Sequence, residues 1–297
     1  MQNQAVECVI EDTYAEAFKG IYAEVLITAR DREWLDRAVA ACTGHASSTI
    51  MCDCEAGVVR YVDGSQSPDN RVGAVVQFHV PKFKKNRERH LEKVLIARLS
   101  QNVLTCPTAR VFNLLEGGDY FSVGKKIAFF GDGHQFRAER FDEELWVIPI
   151  MGGEFEISRR FGFREGVMGG NLWFMGQTVD AAITAASAAA VAADAAPGVV
   201  TTFPGGVASS ASKAGSKYKF LIASTFEKYC PTLREKLGDQ SGVPADVKSI
   251  MEIIVNGESL EAVANATYAA INAARSTPGL KLITAGNYNG RLGKSFI

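Results

Sequence analysis

Apolar positions in the C-terminal half of the chain fall into two matching sets. Asn171-Leu172-Trp173-Phe174-Met175-Gly176 is echoed by Glu252-Ile253-Ile254-Val255-Asn256-Gly257, and Gly176 and Gly257 stand 81 residues apart. The same offset carries Pro197-Gly198 onto Pro278-Gly279 and Gly205 onto Gly286, with an alanine-rich stretch between the landmarks each time. Coincident landmarks at one offset mark duplicated units. Each reads as a strand, a helix of about four turns, a Pro-Gly stop where proline cannot continue the helix, and a second strand over 199–203 or 280–284.

The N-terminal half follows the same grammar without the echo. A strand over 23–28, a helix over 31–42 and a strand over 48–51 form one βαβ unit. A strand over 73–80, a helix over 84–99 with an apolar stripe through Leu91, Val94 and Leu95, and an extended segment over 103–106 before Pro107 form the next. Residues 125–130 and 145–150 read as strands around the turn Gly131-Asp132-Gly133. The expected fold is therefore α+β: two ferredoxin-like, split βαβ lobes, residues 1–145 and 146–297, packed closely with antiparallel additions. A cleft between them is the natural ligand site.

Composition narrows the chemistry. With 297 residues, 47% of them hydrophobic and 22% charged, the chain is globular rather than disordered. Its 32 Lys plus Arg against 33 Asp plus Glu leave a net charge of −1, so no global field draws it to nucleic acid or an anionic membrane. The start of the chain has no basic, apolar export signal, and residues 181–196 contain Asp194 and are short of the ~20 apolar residues of a span, so a cytoplasmic protein is expected. The six cysteines are then reduced thiols, with Cys52 and Cys54 on one buried strand face and Cys106 and Cys230 as packing residues. Four scattered histidines and one isolated Cys-X-Cys predict no metal site. Gly286 to Ser295 misses the phosphate-loop pattern, because the required first glycine falls on Tyr288.

Two features remain. Phe203-Pro204-Gly205-Gly206 is followed by Ser209, Ser210, Ser212, Lys213, Ser216, Lys217 and Lys219, a loop that suits phosphate or carboxylate groups, or else a solvated surface. Strand alternation puts Glu252 on one face between Ile250 and Ile254. There it is either a carboxyl whose pKa is raised by desolvation, able to donate a proton near neutral pH, or a strand-end glutamate reaching water or an arginine.

The chain resembles the formylmethanofuran:tetrahydromethanopterin formyltransferase family along essentially its whole length. The resemblance rests on Glu11-Asp12-Thr13-Tyr14-Ala15-Glu16-Ala17-Phe18, Ile50-Met51-Cys52 with Glu55-Ala56-Gly57, Phe129-Phe130-Gly131-Asp132-Gly133 and Gly169-Gly170-Asn171. It continues in Phe203-Pro204-Gly205-Gly206, Lys217-Tyr218-Lys219-Phe220-Leu221, Tyr229-Cys230-Pro231 and Ala285-Gly286-Asn287-Tyr288. Cys54 and Asn70 depart from the family pattern, as does a chain stopping at Ile297 without a His- and Leu-containing tail.

The resemblance implies transfer of a formyl group from formylmethanofuran to N5 of tetrahydromethanopterin, without a metal or prosthetic group. It implies two ferredoxin-like lobes and a homotetramer, or membership of a bacterial formyltransferase/hydrolase complex, as catalyst or as pterin-binding scaffold. It makes Glu252 the catalytic glutamate. Both substrates carry carboxylates and the pterin a phosphate, so Phe203, Pro204, Gly205, Gly206, Ser212, Lys213, Lys217, Asn287 and Tyr288 become expected substrate-binding residues, with Arg291 and Lys294 as further anchors.

Overall fold

The computed structural model describes residues 8–288, 290 and 293–297. The chain folds as two compact units, one of Lys19–Gly166 and one joining the described residues up to Phe18 to Val167–Ile297. The expected boundary at 145/146 falls inside the strand Glu143–Ile150, and the N-terminal segment packs with the C-terminal unit. Backbone pairing is the reason: Val9–Ile10 lies parallel to Leu280–Ala285, and Ala15 and Ile297 exchange backbone hydrogen bonds of 2.9 and 3.1 Å.

In the unit Lys19–Gly166, four antiparallel strands stand in the order Glu55–Val62, Gly73–Pro81, the part of Glu16–Thr28 from Lys19 onward, and Arg110–Asn113. Helices Arg32–Thr43 and Arg87–Arg98 make the crossovers, the first opened by Asp31, whose carboxylate accepts from Trp34 N at 3.0 Å. Ile21, Ala23, Val25 and Ile27 alternate onto one face and meet Leu35, Leu91 and Leu95. Each large aliphatic side chain buried there contributes roughly 1.5–3 kcal/mol. Gly153–Ser158, Glu143–Ile150 and Phe136–Arg140 extend the sheet beyond Arg110–Asn113, the last two pairings antiparallel.

Three predicted strands differ. Residues 48–51 form a turn and the strand is Glu55–Val62, because buried Arg98 bonds the carbonyls of Cys42, Gly44 and His45 and holds the intervening loop out of the sheet. Cys54 is buried as expected, whereas Cys52 lies in that turn rather than on a strand. Residues 103–106 continue a wide helical turn, Leu99–Val103, and the strand forms after Pro107 at Arg110–Asn113. Residues 125–130 are largely helical, Val123–Ala128, since Val123 and Ile127 stand one turn apart and bury one face.

The other unit has the strand order Leu280–Ala285, Asn171–Gly176, Ser249–Gly257, with Val199–Thr201 and Val207–Ala208 both along the outer side of Ser249–Gly257. All four pairings are antiparallel. Helices Val179–Asp194 and Leu260–Ala274 are capped by Thr178 and Ser259. Ala182, Ala186, Ala189, Ala266 and Ala270 let both helices lie close over Leu172, Phe174, Ile253 and Val255. The second strand of the first repeat is shorter than expected, ending at Thr201. Among the described residues no helix is long and apolar enough to cross a membrane.

Candidate functional site

Alternation along Ser249–Gly257 turns Met251, Ile253 and Val255 toward the helices, which leaves Ile250, Glu252 and Ile254 on the opposite face. That face is roofed within the same unit by Trp173, Phe226, Tyr229, Val243 and Val247. Glu252 is 5% exposed. It sits across the ladder from Trp173 on one side and from Ala208 on the other.

Two donors reach its carboxyl. Asn171 Nδ2 donates at 2.8 Å and Trp173 Nε1 at 2.9 Å, both to Oε1. Burial raises the Glu252 pKa by penalising the charged form, and the two donors, which favour that form, only partly offset it. The surroundings therefore hold this carboxyl toward its neutral state, as the buried-acid reading expects.

Aromatic packing fixes the site. The Trp173 ring is tilted against Tyr229 at 4.7 Å and meets Phe226 edge-on at 5.8 Å. Tyr288 stacks on Phe226 at 6.2 Å, and its hydroxyl donates to the Ser212 carbonyl at 2.9 Å. Burial pushes the Tyr288 phenol up, against a side-chain interaction with Asn171, and ionisation of the nearby Glu252 would push it further. The loop bearing Tyr288 is held from below. Glu16, fully buried, accepts the backbone N–H groups of Tyr288, of Gly290 at 2.8 Å and of Gly293 at 3.3 Å. Asn287 donates to Thr13 Oγ1 at 2.9 Å, and Gly286 has no room for a Cβ, which would collide with Asn171.

The other expected residues divide. Phe203, Pro204, Gly205 and Gly206 make one tight turn, closed by Gly206 N donating to the Phe203 carbonyl at 2.7 Å, and it delivers Val207–Ala208 beside Glu252. Ser212 enters through its carbonyl. Lys213, on the hairpin Ser212–Ala214 with Ala223–Thr225, is ion-paired with Glu227, and Lys217 lies over the Tyr218 ring at 5.0 Å. Neither lysine bonds Glu252. Arg291 lies outside the described residues.

Asn171, Trp173, Phe226 and Tyr229 were not singled out by residue type. The signal that points to Asn171 is the repeat itself, since the 81-residue offset places it on Glu252. Among the described residues no group of three or more His, Cys, Asp or Glu side chains is arranged to share a metal ion. His79, buried and bonded to Gln77, is pulled down to about 3 by burial.

Comparison with known proteins gives a consistent result. Residues 1–150 match the family described as formylmethanofuran-tetrahydromethanopterin formyltransferase, and residues 153–297 match its proximal lobe. The chain is 44% identical over 290 residues to the formylmethanofuran–tetrahydromethanopterin formyltransferase of Methanocaldococcus jannaschii, covering 96% of this chain and 94% of that one. The solved formyltransferase from Methanosarcina barkeri superposes with a TM-score of 0.92 at 41% identity, covering 98% and 96% of the two chains. A chain of the formyltransferase/hydrolase complex of Methylorubrum extorquens, solved with methylofuran, superposes at 0.89 with 34% identity, covering 97% and 94%.

Proposed function

This chain belongs to the formylmethanofuran-tetrahydromethanopterin formyltransferase family, and we propose that it moves a formyl group between formylmethanofuran and N5 of tetrahydromethanopterin, with Glu252 as the catalytic acid. The observation that carries this reading is the burial of Glu252 at 5% exposure with a raised pKa.

The chemistry needs such a group. The pterin nitrogen attacks the formamide carbon, forming a C–N bond and an oxyanion. A neutral Glu252 donates a hydrogen bond to that oxyanion. When the carbonyl re-forms, the bond to the furfurylamine breaks, the electron pair stays on the amine nitrogen, and the Glu252 proton passes to it. The carboxylate then takes the proton released by N5, so the acid is regenerated and the balance closes without an oxidant or reductant. The aromatic roof of Trp173, Phe226 and Tyr229 keeps water from intercepting the formyl group.

Tyr288, Asn287, Ser212 and the Phe203–Gly206 turn line the approach to Glu252, while Lys213 and Lys217 meet the carboxylate and phosphate groups of the substrates. The strand orders of both units support a ferredoxin-like reading of each. The enzyme works in the cytoplasm as a homotetramer without a further cofactor.

The test is an ultraviolet assay of the purified chain with both substrates, with and without chelator. Transfer unaffected by chelator is the expected result. Activity that appears only with added partner subunits would favour the second reading, a subunit of a formyltransferase/hydrolase complex, which the likeness to the Methylorubrum extorquens chain supports.

A further inference from the structure

Both hydrogen bonds to Glu252 end on the same oxygen. Asn171 Nδ2 and Trp173 Nε1 converge on Oε1, at 2.8 and 2.9 Å, and among the described residues no donor reaches Oε2. The two oxygens of a neutral carboxyl are unlike: one is a carbonyl acceptor with two lone pairs, the other carries the proton and donates. Two N–H groups occupy both lone-pair directions of Oε1 and leave no room there for a proton.

The indole donor is not free to turn away. The indole N–H is a donor only, and its ring is clamped by Phe226 and Tyr229. The Asn171 amide is 5% exposed and is closed in by the backbone at Gly286. We propose that Asn171 and Trp173 are positioning residues that place the proton of Glu252 on Oε2, so that Oε2–H is the end of the carboxyl presented to the formyl oxygen and then to the leaving amine. The inference rests on Glu252 being the acid. It adds that the acid has a working end and a held end, selected by the strand Asn171–Gly176.

The arrangement makes a prediction in pH that a structural role does not. Donors to Oε1 favour the carboxylate, so removing one raises the pH at which Glu252 loses its proton. The other titratable groups around it are Tyr288 on the loop after Leu280–Ala285, Tyr229 in the roof, and the carboxylates of Glu16 and Glu11, which bear on those two phenols. Burial raises both phenols, and all four residues are kept in the variants below, with Asn171→Ala also removing a side-chain interaction that lowers the Tyr288 phenol.

Trp173→Phe keeps an aromatic ring and deletes the N–H, and Asn171→Ala deletes the amide. For each, kcat is measured against pH with both substrates, beside the wild type and Glu252→Gln. The expected result is a kcat lowered about tenfold or more, with the alkaline fall in rate moved to higher pH. If Trp173→Phe does not fold, Asn171→Ala carries the same test. A lowered kcat whose alkaline limb stays where it is in the wild type overturns the proposal and leaves the two residues as packing. An active Glu252→Gln overturns the acid reading itself, a separate result from the first.

Discussion

Asn171 and Glu252 occupy the same place in the two copies of the internal repeat, 81 residues apart, and they hydrogen-bond to each other at 2.8 Å. The pairing follows from antiparallel strands: Asn171 stands opposite Ile254 and Trp173 opposite Glu252, so repeat-equivalent positions meet across the ladder on one sheet face. One copy supplies the buried carboxyl and the other the amide that donates to it.

Glu252→Gln keeps both N–H bonds through its carbonyl oxygen but has no proton to give. Its kcat should fall by roughly 10² to 10⁴, with KM little changed, and Glu252→Ala should be worse still if oxyanion donation matters. With Glu252 as the acid, wild-type activity should decline as pH rises through its raised pKa. Steady-state kinetics of the two variants against pH decide it, and near-normal turnover by the glutamine variant would remove Glu252 from the chemistry.

The same residue affects stability. A carboxyl whose folded pKa lies above its unfolded value takes up a proton on folding, so its penalty is absent below the unfolded pKa and grows as pH rises toward the folded one. Glu252→Gln should therefore melt at a higher temperature than the wild type at neutral pH, with the gap closing in acid. Thermal melts at several pH values test this, and a gap independent of pH would contradict it.

Much of this was legible in the chain. The offset between the repeats and the alternation around Glu252 predicted both the sheet and the face on which Glu252 sits. The roof was not, because Phe226 and Tyr229 lie in a segment without periodicity and reach Trp173 only through the folded loop. Thr49 and Ile50 have strand propensity, but the buried guanidinium of Arg98 binds the carbonyls of Cys42, Gly44 and His45 just before them and keeps this loop out of the sheet.

Gly206 adopts φ 75°, and a Cβ there would lie 2.5 Å from Thr201 Oγ1 and 2.7 Å from Ala190 Cβ. Gly206→Ala should lose about 1–3 kcal/mol of stability and shift Ala208 away from Glu252, lowering kcat. Denaturant unfolding beside kinetics checks both. Unchanged stability would show that the turn relaxes without strain.

Glu16→Gln turns part of an acceptor for three backbone N–H groups into a donor. The Tyr288 loop should loosen, and kcat/KM should drop about 10- to 100-fold, as for the loss of one charge-assisted hydrogen bond. Hydrogen exchange at the amides of Tyr288, Gly290 and Gly293 should quicken, and exchange as slow as in the wild type would mean the loop holds without the carboxylate.

Lys213→Ala and Lys217→Ala should raise KM for at least one substrate while kcat changes little. The pair between Lys213 and Glu227 is exposed to solvent, so its loss should leave stability nearly unchanged. Unchanged KM in both variants would make this hairpin a solvated surface.

The bonds between Ala15 and Ile297 also impose a timetable on biosynthesis. Lys19–Gly166 finds its strand partners in one continuous run and can fold while later residues are still being made. The sheet around Glu252 cannot close so early, because Val9–Ile10 must wait for Leu280–Ala285 and Ala17 for Ser295. A nascent chain halted before residue 280 would thus carry Glu252, Asn171 and Trp173 and still lack the edge that completes their sheet.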